Sequence, residues 1–198
     1  MKKTTAFAEV IQSSLHSWVA QSWQWNQFPS FGSLVAIETN NRTLFGVVHQ
    51  INTGSMDPSR YPFAYQKTYE ELMAEQPQIF EFLKTTFACI TVGYQEKGKI
   101  YYLSAPEPAP IHAFVSPMTP ETCRQFFASE RYLHLVFAAV GQLYSLDELL
   151  LALLKHQANL GTFTNPDRLT SFIEQFCLLT GNDYRRLKLF LQRAEAFI

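Results

Sequence analysis

The sequence predicts an α+β protein: a small β-barrel of about five or six strands, with an N-terminal helix before it and an α-helical region after it. Three observations predict this. The hydrophobic period moves from helical steps to alternation and back to helical steps along the chain. Turn residues punctuate the middle third at short intervals. The chain is 47% hydrophobic and 15% aromatic, enough apolar side chain for a sizeable core. The expected organisation is 1–27 as an amphipathic helix, 28–118 as the barrel with a helical insertion at about 67–86, and 119–198 as the helical region.

At the start, Phe7, Ile11, Leu15, Trp18 and Ser22/Trp23 fall at steps of three and four, which predicts a helix over roughly residues 5 to 25. The period then changes. The stretch FGSLVAIETNNRTLFGVVHQI reads as strands at 33–38 and 43–51, turning at Asn40-Asn41. Asp57-Pro58 and Tyr61-Pro62 mark a loop. KTYEELMAE opens with Thr68 and Glu71 in capping-box spacing. Pro77 suits the first turn of a second helix, whose buried side would be Phe80, Leu83 and Phe87. Strands return at 89–94 and 99–104, and three prolines lead into a last strand, IHAFV. From Thr119 the texture is helical, with Thr119-Pro120, Ser145…Glu148, Asn165-Pro166 and Asn182-Asp183 as successive starts.

Composition excludes some classes of function. A net charge of −1 lacks the basic excess of a general polyanion binder. Three widely spaced cysteines, Cys89, Cys123 and Cys177, do not make a disulfide framework and read as reduced thiols. The opening MKKTTAFAEVIQSSLHSWVA resembles a secretion signal, but Glu9, Gln12, Ser13, Ser14 and His16 interrupt its apolar run. LVFAAV and LLLALL are too short to span a bilayer. The expectation is a soluble cytoplasmic protein without membrane contact.

Gly93, Gly98 and Lys99 fall at the spacing of a phosphate loop. That loop needs a Ser or Thr after its lysine and a helix beginning there, to ligate magnesium and to lend its dipole. Here Ile100 follows, and IYYLS is strand-like. A hairpin turn is therefore expected at Lys97-Gly98, and no nucleotide or other cofactor. The five histidines, His16, His49, His112, His134 and His156, have no spacing to cysteine or carboxylate that makes a metal site. Cys89 with His112 is the nearest approach to a catalytic pair, but CITV reads as buried strand. Glu70-Glu71 and Asp147-Glu148 are adjacent pairs that point apart on a helix. The chain is read as a non-enzyme.

Four segments, in order, carry a family resemblance: Gly32-Ser33-Leu34-Val35-Ala36-Ile37, Leu44-Phe45-Gly46-Val47-Val48, Phe87 through Gly93-Tyr94, and Pro106 through Val115. Together they resemble the HAS barrel, the small β-barrel named for HerA-type translocases and ATP synthase subunits. The resemblance covers residues 28 to 118. It implies a barrel that takes part in subunit contact, usually ahead of a P-loop ATPase domain. The helical region here is too short for that motor and no complete phosphate loop exists, so ATP hydrolysis is not carried over.

The expected function is a non-enzymatic interaction or assembly module, a partner or scaffold of a larger ATPase-type complex, contacting a protein partner or copies of itself. The expected contact residues are Trp18, Trp23 and Trp25 of the first segment and Met56, Arg60, Tyr61 and Tyr65 of the loop. The alternative is a nucleic-acid binder using the barrel face and the basic last helix, through Tyr184, Arg185, Arg186, Lys188 and Arg193.

Overall fold

The alternating segments of the first two thirds close on themselves. A computed structural model describes residues 5–57, 59, 62–164 and 166–197. Its strands are β1 (Ala8–Ser13), β2 (Ser17–Ser22), β3 (Leu34–Glu38), β4 (Thr43–Ser55), β5 (Leu83–Glu96), β6 (Lys99–Tyr101) and β7 (Phe114–Pro117). Neighbours run β2-β1-β7-β3-β4-β5, and β2 pairs again with β5. The result is a closed antiparallel six-strand barrel, and closure removes the unpaired edges an open sheet would leave. Strand β6 extends β5 beyond the point where β2 stops.

The expected N-terminal helix is absent. Residues 8–22 form β1 and β2, joined at Ser14, whose backbone N–H donates to Ser17 O at 2.8 Å. Ala8, Val10, Trp18, Ala20 and Ser22 point into the barrel, whereas Ile11 and Leu15 of the supposed helical stripe are exposed. The physical reason lies in the lumen. Trp18 and Phe87 fill it edge to face, with ring centroids 6.2 Å apart, so neighbouring inward positions must be small. The barrel therefore begins at residue 8, not 28. Gly46 shows the same crowding: a Cβ there would lie 2.5 Å from the Trp18 ring.

The second helix of the expected insertion also shrinks. α1 (Tyr69–Glu75) keeps its capping box, with Thr68 and Glu71 satisfying each other's backbone N–H groups. α2 is a single turn, Gln78–Glu81. Leu83 and Phe87, expected on a helix face, are strand residues of β5, registered against Ser55 and Ile51 of β4. The β5–β6 turn is as expected: Lys97 and Gly98 both have positive φ (50° and 78°), the requirement of a two-residue hairpin turn. Lys99 opens a strand and lies over the Tyr101 ring at 5.3 Å. Gly93 lies within β5. The β3–β4 loop turns without positive φ at Asn40 or Asn41; Thr39 closes it by exchanging hydrogen bonds with Arg42.

The helices follow as α3 (Pro120–Phe126), α4 (Tyr132–Ala138), α5 (Leu146–Asn159), α6 (Pro166–Leu179) and α7 (Tyr184–Ala194). Thr119, Ser145 and Asp183 each cap the helix they precede. Strands β3 to β5 are buried on both faces. Val35, Ile37, Leu44, Val48, Phe87 and Cys89 face the lumen. Leu34, Ala36, Phe45, Val47, Ile90 and Val92 face the helices, where they meet α3 to α5. Phe126 of α3 packs edge-on against Phe45 at 5.3 Å. Among the described residues no helix is long and apolar enough to cross a membrane.

Candidate functional site

The β4–β5 ladder is long, and its far end carries an excursion of chain. Ser55 pairs with Leu83, and Met56 N–H donates to Phe82 O at 2.7 Å. Residues 56–82 between them hold α1 and α2, neither of which has a buried residue. Yet the excursion displays Met56, Phe63, Tyr69, Met73 and Phe82, all at least 43% exposed, with Phe63 at 68%. Its internal order comes from aromatic contacts and local hydrogen bonds. Trp25 stacks on Phe80 at 5.6 Å, and Tyr69 meets the same ring edge-on at 5.2 Å. Phe63 lies on Tyr65 at 4.3 Å. Lys67 is paired with Glu75 across α1. The root is held by a Thr53–Thr85 hydroxyl contact at 2.7 Å, and the Thr85 hydroxyl donates to the Trp25 carbonyl.

Of the contact residues expected from sequence, Met56 and Tyr65 belong to this arm, and Trp25 stacks on it from the β2–β3 connection. Trp18 does not: it is 1% exposed and fills the lumen, because β2 turns it inward. Trp23 is half exposed and meets Phe114 edge-on at 5.4 Å on the β1–β7 side of the barrel. Arg60 and Tyr61 lie outside the described residues. Phe63, Tyr69, Met73 and Phe82 were missed. Their hydrophobicity is legible in the sequence, but their exposure is not, because it follows from helices as short as Tyr69–Glu75 and Gln78–Glu81.

The basic last helix is partly neutralised. Arg186 reaches Asp147 at 2.5 Å and Arg193 reaches Glu148 at 2.5 Å, so the paired carboxylates of α5 hold two of the four expected cations. Arg186 also lies over the Phe176 ring. Tyr184, Arg185 and Lys188 stand exposed.

The possible catalytic pair is not assembled. Burial pushes the Cys89 thiol well above its usual range. His112 is an exposed residue with positive φ, its Nδ1 2.6 Å from Glu9 Oε1. No group of three potential metal-ligating side chains occurs among the described residues.

Two further features lie among the helices. Glu130, 6% exposed, sits 3.1 Å from Arg168 Nη2. The contact is an ion pair without well-directed hydrogen bonds to either carboxylate oxygen. Burial raises the Glu130 carboxyl above its usual range and Arg168 opposes the rise. Arg168 also donates to Phe127 O and, at 2.6 Å, to Ala128 O. It thereby ties α6 to the end of α3. The second feature is a cleft of about 410 Å³ where the barrel meets the helices, lined in part by Phe28, Leu34, Met118, Cys123 and His156.

No protein-family model matches the chain, and the search of curated proteins finds no match.

Proposed function

We propose that this chain is a non-enzymatic interaction and assembly module that engages a protein partner, or copies of itself, through the aromatic arm at residues 56–82. One observation carries the reading: an excursion that buries no helix residue on its own barrel nevertheless presents five large apolar side chains to solvent. Large apolar side chains exposed together on one short excursion favour a contact site. Rigid aromatic anchors supply most of the affinity in such contacts. Residues 56–84 hold Asp57, Glu70, Glu71, Glu75 and Glu81 against Arg60, Lys67 and Lys84. The fitting partner surface is therefore apolar with a basic rim.

The closed six-strand barrel supports reading residues 8–117 as a HAS-type barrel, and so the chain as a partner or scaffold of a larger ATPase-type complex. Three unpaired cysteines fit a cytoplasmic setting. The nucleic-acid alternative has less support, since Asp147 and Glu148 already hold Arg186 and Arg193.

The test is size-exclusion chromatography with light scattering, on purified protein and on native extract. The comparison is wild type against the triple variant Phe63→Ser, Met73→Ser, Phe82→Ser. Wild type is expected in a discrete complex in at least one setting. The variant is expected as a folded monomer with stability within about 1.5 kcal/mol of wild type, at about 0.5 kcal/mol for each of three exposed sites. A wild type that stays monomeric in both settings, or a variant that keeps the complex, overturns the reading.

A further inference from the structure

The cleft between barrel and helices is distinct from the arm. Its walls come from Phe7 ahead of β1, the 27–33 segment, the start of β3, the end of β7 with Met118, and α3 and α5 through Cys123 and His156. The volume of about 410 Å³ lies within the range of small-molecule sites. The frame is held in place. The Ser33 hydroxyl and N–H both donate to Ser30 O, at 2.6 and 3.1 Å, and Gly32 N–H donates to Val48 O at 2.8 Å. Gly32 lies so close to α5 that a Cβ would meet Ala152 Cβ at 2.5 Å. The cleft is thus formed before any ligand arrives.

Its chemistry is unusual for a protein surface. Phe7, Phe28, Pro29, Leu34, Val35, Pro117 and Met118 make it apolar. Gln27, Ser30 and Ser33 supply uncharged polar groups, and among the described residues no Asp, Glu, Lys or Arg lines it. The titratable side chains in the wall are Cys123 and His156. Burial pushes the Cys123 thiol up to about 11 and holds the His156 imidazole below its usual range, so both are neutral near pH 7. A charged ligand would lose its hydration there and find no counter-charge. An apolar molecule with one hydroxyl or carbonyl would bury its body and keep one hydrogen bond to the amide or hydroxyl groups.

We propose that the cleft bounded by Phe28, Leu34, Met118 and Cys123 is a binding site for a small uncharged hydrophobic molecule bearing one hydrogen-bonding group, of the class of a medium-chain alcohol. The site lies apart from the arm, and its occupancy does not depend on the arm's role.

Methionine methyl NMR on the full chain tests it, with 1-decanol as the probe and decanoate as its charged counterpart. The chain has four methionines: Met118 reports the cleft, Met56 and Met73 report the arm. With 1-decanol, Met118 is expected to shift saturably while Met56 and Met73 stay in place. Decanoate is expected to bind at least about tenfold more weakly. Ser30→Trp, at an exposed rim position whose turn uses only its backbone carbonyl, is expected to abolish the shift by filling the space. Phe28→Ala, also exposed, is expected to weaken binding several-fold with folding intact. Absence of a saturable Met118 shift, movement of the arm methionines instead, equal binding of decanoate, or indifference to both substitutions overturns the proposal.

Discussion

Arg168→Ala removes one guanidinium that donates to two carbonyls, Phe127 O and Ala128 O, and ion-pairs with Glu130. The carbonyls close the end of α3, and the carboxylate is almost wholly shielded from water. Breaking a buried ion pair from one side costs about 3–5 kcal/mol, because the remaining charge stays buried without compensation. Arg168 retains some solvent contact at 23% exposure, so the low end, about 3 kcal/mol, is the expected loss near pH 7. For a chain of this length that is a fall in Tm of about 6–12 °C. The dependence on pH has a definite sign. Glu130 already holds its proton more tightly folded than unfolded, so it favours the folded state most at low pH. That contribution is lost as pH rises from the ordinary glutamate range through the raised folded value. Without Arg168 the folded value rises further. The penalty of Arg168→Ala therefore shrinks as the solution is acidified, and Glu130→Gln in the same background recovers part of it. Urea unfolding followed by circular dichroism at acidic and neutral pH reads all of these. A loss under about 1 kcal/mol at neutral pH, or a penalty independent of pH, would refute the clamp.

Two more outcomes follow from the barrel and its flanks. Gly46→Val places a side chain where a Cβ alone would stand 2.5 Å from Trp18, and costs about 1–3 kcal/mol by overpacking. Adding Trp18→Phe restores part of that, and a denaturation double-mutant cycle without coupling would show that the two sites do not touch. Burial holds His49 and His156 below their usual range, so each binds its proton less readily folded than unfolded. Stability is then full above the ordinary histidine value and falls as pH drops through it toward the lowered folded values. Thermal scans of His156→Phe should show a shallower acid loss than wild type, and an unchanged slope would remove His156 from the account.

What was legible in the sequence was what neighbours in the chain decide. The Lys97-Gly98 turn, the Thr68–Glu71 capping box and the Thr119 cap all depend on residues within four positions of one another. The failures depend on distant ones. Trp18 occupies so much of the lumen that Ala8, Ala20, Ser22 and Gly46 around it must be small. The inward alternation of β1 and β2 is thereby drained of apolar weight, and the exposed Ile11 and Leu15 leave a false helical stripe. Phe80, Leu83 and Phe87 made the same kind of false face. The register of Leu83 on Ser55 is set across 28 positions of chain, beyond any local period. At the candidate site, the hydrophobicity of 56–82 was plain, but its lack of burial was not. Apolar letters read alike whether they face a core or solvent.

The arm and the seam cleft differ in a way that decides what each is for. The wall β3–β5 is covered on both sides: lumen side chains on one face, α3 to α5 on the other. The helical region is therefore the barrel's outer layer, and the cleft is a gap in that layer whose walls are set by the core itself. Rigid walls select a ligand by shape and by the lack of charge. The arm has the opposite construction. Its helices bury no residue fully, and its order rests on ring contacts among Trp25, Tyr69 and Phe80 and on hydrogen bonds at its root. Fixing a residue's backbone costs about 1–2 kcal/mol, and a segment that gains so little burial recovers that cost poorly from its own fold. A partner surface that covers Phe63, Met73 and Phe82 would supply the missing burial. The arm's energetics thus favour a contact made with another chain, while those of the cleft favour a molecule small enough to enter a space already formed.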